Sequence, residues 1–427
     1  MRVMVVGATG LIGGALVDAL RAAGHDVVVG VRRVDAARVR WPGLRVVGVD
    51  FARDQTPADW VGRLQGIDAL VNVVGLIREH GASSFEAVHV RAPRALFEAC
   101  AQAGVRRVVQ FSALGADAGA RTGYHRSKRA ADEALRALPL AATVVQPSLV
   151  FAPHGASAQW FLMLASLPLI PLPAGTGRVQ PVHLDDVCEA VVRLLERPTP
   201  PDTLAVVGPR ALALDEYLGV LRQGLGLGRA RFVRVARALA RRAAVLGSHL
   251  PGSLLDRDTL SMLERGNTAD PAPLTALLHR APRDPSAFVP ASLAPALRDR
   301  ARLRWLLPVL RLALAAVWIV TALVSVGLYP VEASYALLAR TGIAGAAAPL
   351  ALYGAAALDL LLGLATLLAR RRRWVYAASM ALILGYTAII TIALPEFWLH
   401  PYGPVLKNLP LLAALWLLWE LDRPEAR

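Results

Sequence analysis

The sequence predicts an α/β fold, a doubly wound parallel sheet, followed by an all-α domain of four membrane-spanning helices. Three observations carry that reading. The chain opens on an apolar, β-branched run that empties into Gly7, Gly10 and Gly13. Short Val-rich runs then alternate with helical patterns, the rhythm of a parallel sheet covered on both faces. Beyond residue 300 come stretches of about 20 apolar residues, long enough to cross a bilayer. Hydrophobic residues make up 55% of the 427, and mean hydropathy is +0.44, with most of the excess after residue 300.

The first strand runs from Met1 to Val6, and a helix follows from about Leu11 to Ala23. Glycine suits the turn between them because the backbone must bend sharply and then approach a pyrophosphate with no Cβ in the way. The helix aims its N-terminal N–H groups and positive dipole end at the phosphates. Strand, glycine turn and helix together are the context of a Rossmann-type dinucleotide site. Gly7, Thr9, Gly10, Leu11, Ile12 and Gly13 are therefore cofactor-binding candidates; the alternative is an ordinary tight turn. The interrupted apolar run and the early Asp18 argue against a signal peptide.

Asp26–Val31 reads as the second strand and ends at Arg32 and Arg33, with Arg32 lying 19 residues beyond Gly13. An acidic residue at such a distance bonds a ribose 2′-hydroxyl, whereas arginine accommodates a 2′-phosphate. NADP(H) is thus expected over NAD(H), unless the pair merely caps an exposed strand end. Third and fourth strands, Arg45–Val49 and Ala69–Val74, deliver Asp50, Asn72 and Gly75 to their carboxyl ends, where ligands of parallel sheets bind. A helical pattern fills Ser84–Ala103.

The fifth strand, Arg107–Phe111, ends at Ser112, and Tyr124-His-Arg-Ser-Lys128 opens a helix soon after. Tyr124 and Lys128, at i and i+4, share a helix face. A neighbouring ammonium is expected to lower the phenol's pKa, fitting it to exchange a proton with a carbonyl or alcohol. Ser112 would bond the same substrate oxygen. Only two lysines occur, Lys128 and Lys407, and only three asparagines, Asn72, Asn267 and Asn408. Their scarcity points to positions where Arg cannot substitute. A surface Tyr and Lys is the alternative.

These residues resemble the short-chain dehydrogenase/reductase superfamily, in particular the atypical branch related to the NADPH-binding accessory subunit of respiratory complex I. GATGLIG, FSALGA (111–116), YHRSK, QPSLVFAPHG (146–155) and QPVHLDDVCEAV (180–191) carry the resemblance over about residues 1–290. It implies an NAD(P)-dependent epimerase/dehydratase-type fold, Ser112, Tyr124 and Lys128 as catalytic residues, Lys128 on the nicotinamide ribose, and Pro147 as a further cofactor contact. Gln146 stands where the branch usually has arginine and Ala152 where it has glycine, which puts substrate-pocket contacts in question. Some members hold the nucleotide without turnover.

Residues 1–150 are read as the dinucleotide-binding core and 151–290 as a substrate-side segment. Trp160, Phe161, Leu162 and Met163 suit either a greasy substrate or core packing. Arg229–Leu250 reads as a basic amphipathic helix, with Arg234, Arg237 and Arg241 opposite Phe232, Val235, Leu239 and Leu246, fit for an anionic membrane surface or simply solvated. The formal charge of +15 comes from scattered arginines with no aromatic interleaving, so no nucleic acid partner is expected. Cys100 and Cys188 are isolated, which suggests neither a metal site nor a disulfide.

After a linker at 291–304, spans are expected at Leu306–Leu328, Ala346–Ala369, Trp374–Leu394 and, marginally, Val405–Trp419. Arg302, Arg304, Arg311, Arg370–Arg373, Arg423 and Arg427 fall on one side, Arg340 and Lys407 on the other. The positive-inside rule then places the Rossmann domain and both termini in the cytoplasm, at an inner membrane. Asp359 lies mid-span, where a carboxylate usually pairs or serves a pathway. Residues 305–422, and WLHPYGPVLKN (398–408) above all, resemble the DoxX-like four-helix membrane family. Asp359, His400, Lys407 and Asn408 are its candidate site residues, for a quinone or proton path or for a structural Asp–Lys pair. The combined expectation is a membrane-anchored oxidoreductase acting on a lipophilic carbonyl or alcohol, such as a quinone, isoprenoid or lipid. The rival is a non-catalytic NADPH sensor or assembly factor that docks a respiratory or redox membrane protein.

Overall fold

The computed structural model describes residues 1–79, 81, 83–248 and 256–422. It divides into two compact units, Met1–Ala301 and Arg302–Arg427. Seven parallel strands build the main sheet of the first: β1 (Arg2–Val6), β2 (Asp26–Val31), β3 (Arg45–Gly48), β4 (Ala69–Asn72), β5 (Arg107–Phe111), β6 (Ala141–Pro147) and β7 (Thr203–Val206). Their order is β7-β6-β5-β4-β1-β2-β3. The chain leaves β1 in one direction for β2 and β3, then returns to β4 on the other side. That reversal is where open parallel sheets bind ligands.

Continuous Val runs fit because both faces of the sheet are covered. Val3 and Val5 enter a core with Leu16, Val17 and Leu20 of the Leu11–Ala22 helix, while Met4 and Val6 point oppositely to Trp60, Leu96 and Phe97. The expected Ser84–Ala103 helix starts as a π turn, Glu86–Arg91, before the regular helix Ala92–Ala103. Helix Gly123–Arg136 begins at Thr122, whose hydroxyl accepts from the His125 N–H at 3.2 Å.

In the substrate-side half, Phe161 and Leu162 are core residues packed with Phe151 and Tyr217. These two therefore supply packing, not a substrate wall. The single amphipathic helix expected over Arg229–Leu250 is not formed. Phe232–Val235 is a strand paired in parallel with Ile170–Pro173, and a helix begins only at Arg237 and runs to Ser248; Leu250 lies outside the described residues. Its aromatic and β-branched residues suit a strand at an exposed edge, and strand pairing overrides the helical spacing of the arginines. Arg237 and Arg241 pair with Glu264, at 2.7 and 3.3 Å, so neither is a free cation for a membrane.

The second unit is helical. Residues 291–304, expected as a linker, are helical from Ala294, in keeping with their Ala, Leu and Arg content. Helix Ala294–Leu323 runs into a π turn at Val324–Leu328, and Ala347–Leu368, Arg373–Ala393 and Asn408–Leu421 follow. A short helix not anticipated from sequence, Val331–Arg340, precedes the second of these. Among the described residues, three helices are long and apolar enough to cross a membrane. The last has 14 residues, about 21 Å, short of a bilayer core of about 30 Å. Four expected spans thus become three membrane-capable helices and one short apolar helix.

Candidate functional site

A groove of about 240 Å³ opens at the carboxyl ends of β1, β2 and β4. Gly7, Thr9, Gly10, Arg32, Asp50 and Gly75 line it. Gly7 sits at φ 86°, a left-handed conformation that disfavours any side chain. A Cβ at position 13 would come within 2.3 Å of the Gly7 carbonyl oxygen, so the helix packs on the turn only with glycine there. No side chain caps this helix, which leaves its first N–H groups open to an anion. Leu11 is exposed at its start, while Ile12 packs on the core.

Arg32 is exposed on the groove and makes no ion pair among the described residues. Arg33 is also exposed but precedes helix Val34–Arg40 and does not line the groove. Asp50 accepts from the Ala52 N–H at 3.0 Å. Asn72 is fully buried and away from the groove surface. Its Nδ2 donates to Gln110 at 2.7 Å and its Oδ1 accepts from the Val74 N–H at 3.1 Å. It shapes the groove-lining turn from beneath. Pro147, which closes β6, likewise lies off the groove lining, its carbonyl accepting from Leu114 at 3.1 Å.

Lys128 is buried against the same turn: Nζ donates to the carbonyls of Val74 at 3.1 Å and Phe111 at 3.0 Å. An ammonium has three N–H groups, so one remains for a ligand. Burial pushes Lys128 down to about 8, opposed by the charge of Asp132. The Ser112 hydroxyl donates to Asp132, which is wholly buried. Burial raises Asp132 to about 6, while Ser112 and Lys128 act the other way.

Tyr124 is half-buried, its ring 5.4 Å from His125, 5.7 Å from His89 and 6.3 Å from Phe85, centroid to centroid. Its phenol is pushed up to about 12, first by burial and then by Asp132. The expected lowering by Lys128 is therefore not found. Desolvation outweighs an ammonium that is itself buried and bound to carbonyls. Ser112 also departs from expectation. Its proton goes to Asp132, leaving oxygen lone pairs to accept from a substrate hydroxyl.

Sequence reasoning missed Asp132 and His89. His89 Nε2 accepts from the Leu76 N–H at 2.8 Å, and Nδ1 lies 2.9 Å from Ser127 Oγ. Since Ser127 gives its proton to the Tyr124 carbonyl at 2.8 Å, His89 must donate from Nδ1. Burial, and secondarily the charge of Lys128, lowers His89 to about 2 and keeps it neutral. This chain ties the groove turn to the tyrosine-bearing helix. The Asp132 carboxylate, at i+4 from Lys128, was the one available signal.

In the second unit Asp359 is 4% exposed and its Oδ1 has no hydrogen-bond partner among the described residues. It faces a cavity shared with Tyr386 and Asn408, whereas His400 and Lys407 are exposed outside it. The Asp359–Lys407 pair considered from sequence is not made, because the lysine precedes the last helix at the unit's surface. Arg311, counted as a flanking cation, bonds Asp422 and donates to Tyr376 at 3.2 Å; Arg423 and Arg427 lie outside the described residues.

Residues 3–206 match the NAD dependent epimerase/dehydratase family, and residues 315–416 match the DoxX-like family. The chain joins an epimerase/dehydratase domain to a DoxX-like domain. A ceramide reductase of Caulobacter vibrioides is 32% identical over 197 residues, 46% of this chain and 61% of that protein. NADH dehydrogenase (ubiquinone) 1 alpha subcomplex subunit 9 of Mus musculus is 30% identical over 225 residues, 49% of this chain and 57% of that subunit. The chain thus spans less than two thirds of either relative's length. Among solved structures, a nucleoside-diphosphate-sugar epimerase of Staphylococcus aureus superposes with a TM-score of 0.57 at 20% identity, covering 68% of this chain and 99% of its own. An Escherichia coli NADPH-dependent quinone oxidoreductase complexed with NADPH gives 0.56 at 20%, covering 67% and 98%. At that identity the likeness is one of fold, a Rossmann fold; the family match over residues 3–206 makes the domain an NAD(P)-binding one.

Proposed function

We propose that this chain is a membrane-anchored, NADPH-using reductase or dehydrogenase acting on a carbonyl or alcohol of a lipophilic substrate. The observation that carries the reading is the convergence, at one groove end, of the Val74–Gly75 turn with Lys128, whose helix also bears Tyr124. Gly7, Thr9, Gly10 and the open helix start would hold the pyrophosphate, Asp50 the adenosine ribose region, and unpaired Arg32 a 2′-phosphate. When bound, the nicotinamide supplies or accepts hydride. Tyr124 keeps its proton below about pH 12 and so serves as a donor to the substrate oxygen. Lys128 would offer its remaining N–H to the nicotinamide ribose. Ser112 oxygen would accept from the substrate hydroxyl. The ceramide reductase relative and the fused apolar helices support a lipid-like substrate. Cation-rich flanks at Arg302, Arg304 and Arg370–Arg373 favour an inner-membrane protein with its Rossmann unit in the cytoplasm.

A second reading has a specific observation behind it. Ser112 is engaged by Asp132 and the Tyr124 phenol is raised, a site quiet enough for a nucleotide-holding subunit of a respiratory membrane complex, as the complex I relative suggests. Tyr124→Phe separates the two. NADPH affinity unchanged with turnover of a native lipid extract down about 10²–10⁴-fold identifies the enzyme. Equal function of wild type and variant identifies the binding subunit.

A further inference from the structure

We infer that the DoxX-like unit holds a binding site, centred on Asp359, for a membrane-soluble molecule whose ring-sized head carries a hydroxyl group. Asp359 lies near the middle of helix Ala347–Leu368, where a carboxylate is costly unless something compensates it. The protein buries it and, among the described residues, leaves Oδ1 without a partner. Asp359 lines a cavity of about 150 Å³ to which each of the four apolar helices brings one polar residue: Thr321, Asp359, Tyr386 and Asn408. Trp318 and Leu415 are among its apolar walls.

The hydrogen bonds around the cavity define what it lacks. Thr387 gives its proton to the Ile383 carbonyl at 2.7 Å and accepts from Asn408 Nδ2 at 2.8 Å. The Asn408 amide is thereby fixed, with its Oδ1 left as an acceptor. Thr321 and Tyr386 bring hydroxyls to the same cavity, but among the described residues neither donates to the Asp359 carboxylate, so a donor from outside the chain can complete it, and a hydroxyl is the smallest neutral group that supplies one. An apolar cavity of about this size accommodates a single benzene ring. The polar residues here add the demand for a hydroxyl on that ring, and the lipid-facing surface of the unit is the natural route for such a molecule.

The test needs no nucleotide, so its outcome is independent of the reductase reading. The full chain in lipid nanodiscs is titrated calorimetrically with para-tert-butylphenol and with its methyl ether, empty nanodiscs serving as the blank. The phenol is expected to saturate at one site per chain and to bind about tenfold or more tighter than the ether, the worth of one hydrogen bond to a charged group. Asp359→Leu is expected to erase that preference. Leu411→Phe, which narrows the cavity from another wall, is expected to weaken the phenol even if Asp359→Leu cannot be purified. Equal, unsaturable partitioning of both probes, or phenol binding unchanged in either variant, would overturn the proposal.

Discussion

Each unit of the molecule buries a carboxylate, and the two are treated differently. Asp132, in the Rossmann unit, receives the Ser112 proton and lies near Lys128, which itself satisfies two carbonyls. Among the described residues Asp132 and Asp359 alike keep an Oδ1 without a partner, but Asp359, in the DoxX-like unit, lines a cavity. The first unit sets its carboxylate beside Ser112 and Lys128 and presents a groove for a nucleotide; the second sets its carboxylate against a cavity inside an apolar bundle. A buried carboxylate that also lines a cavity is one that a ligand can complete. The surfaces differ in the same sense: Val3–Val6 are fully buried, whereas Leu350, Leu368 and Ile392 are about four-fifths exposed on helices suited to lipid.

The strongest expected effect is in the nucleotide groove. Gly13→Val would set a side chain against the Gly7 carbonyl, and NADPH affinity, followed by its fluorescence, is expected to fall at least about 100-fold. Unchanged affinity would remove the groove from the account. Next comes Lys128→Met, which strips donors from the Val74 and Phe111 carbonyls. A loss of about 2–4 kcal/mol in denaturant midpoint experiments is expected, since buried acceptors are left bare. A neutral result would mean that the network does not hold the turn. Arg32→Ser should cost about 10–100-fold in NADPH affinity and little in NADH affinity, because only the 2′-phosphate is served by it. Equal losses for both nucleotides would contradict that assignment.

The contrast between the carboxylates sharpens in two smaller measurements. Removing an unpartnered buried charge relieves desolvation, so Asp359→Leu is expected to leave the melting temperature unchanged or raised; a drop would show that the chain itself uses that charge. Asp132 releases its proton near 3.8 when unfolded but near 6 when folded. Between those values the native state binds more protons, so stability falls as pH rises through the window. Asp132→Asn should lack that slope, a difference of about 1–3 kcal/mol across it. Parallel pH profiles for the two proteins would show that burial does not hold the proton.

Much of this was legible from local pattern. A glycine turn between an apolar strand and a helix can be read from residues 1–13, and a Tyr-x-x-x-Lys pair from five consecutive letters. What escaped reading depends on contacts distant in sequence. His89 meets Ser127 across 38 positions and Ser112 meets Asp132 across 20, with neither pairing signalled by spacing. The Tyr124 proton affinity was misjudged for the same reason: helix spacing reveals the neighbouring lysine but not the burial that outweighs it. Phe232–Val235 reads as part of a basic helix until its partner strand, some 60 residues earlier, is in place. Asp359 was found by its cost in an apolar span, but Asn408 and Tyr386, not Lys407, share its cavity, which only the packing of four helices decides.

The central claim is that the Rossmann site passes hydride to or from a lipid-like molecule with Tyr124 as proton donor. It is tested most directly by incubating the full chain in nanodiscs with deuterated NADPH and a native lipid extract, then seeking deuterium in the lipids by mass spectrometry. One lipid class is expected to gain a single deuterium with the wild-type chain and none with Tyr124→Phe, while both proteins bind NADPH alike. Equal labelling by the two proteins would contradict the role of Tyr124, and NADPH bound tightly with no lipid labelled by either would contradict the reductase itself.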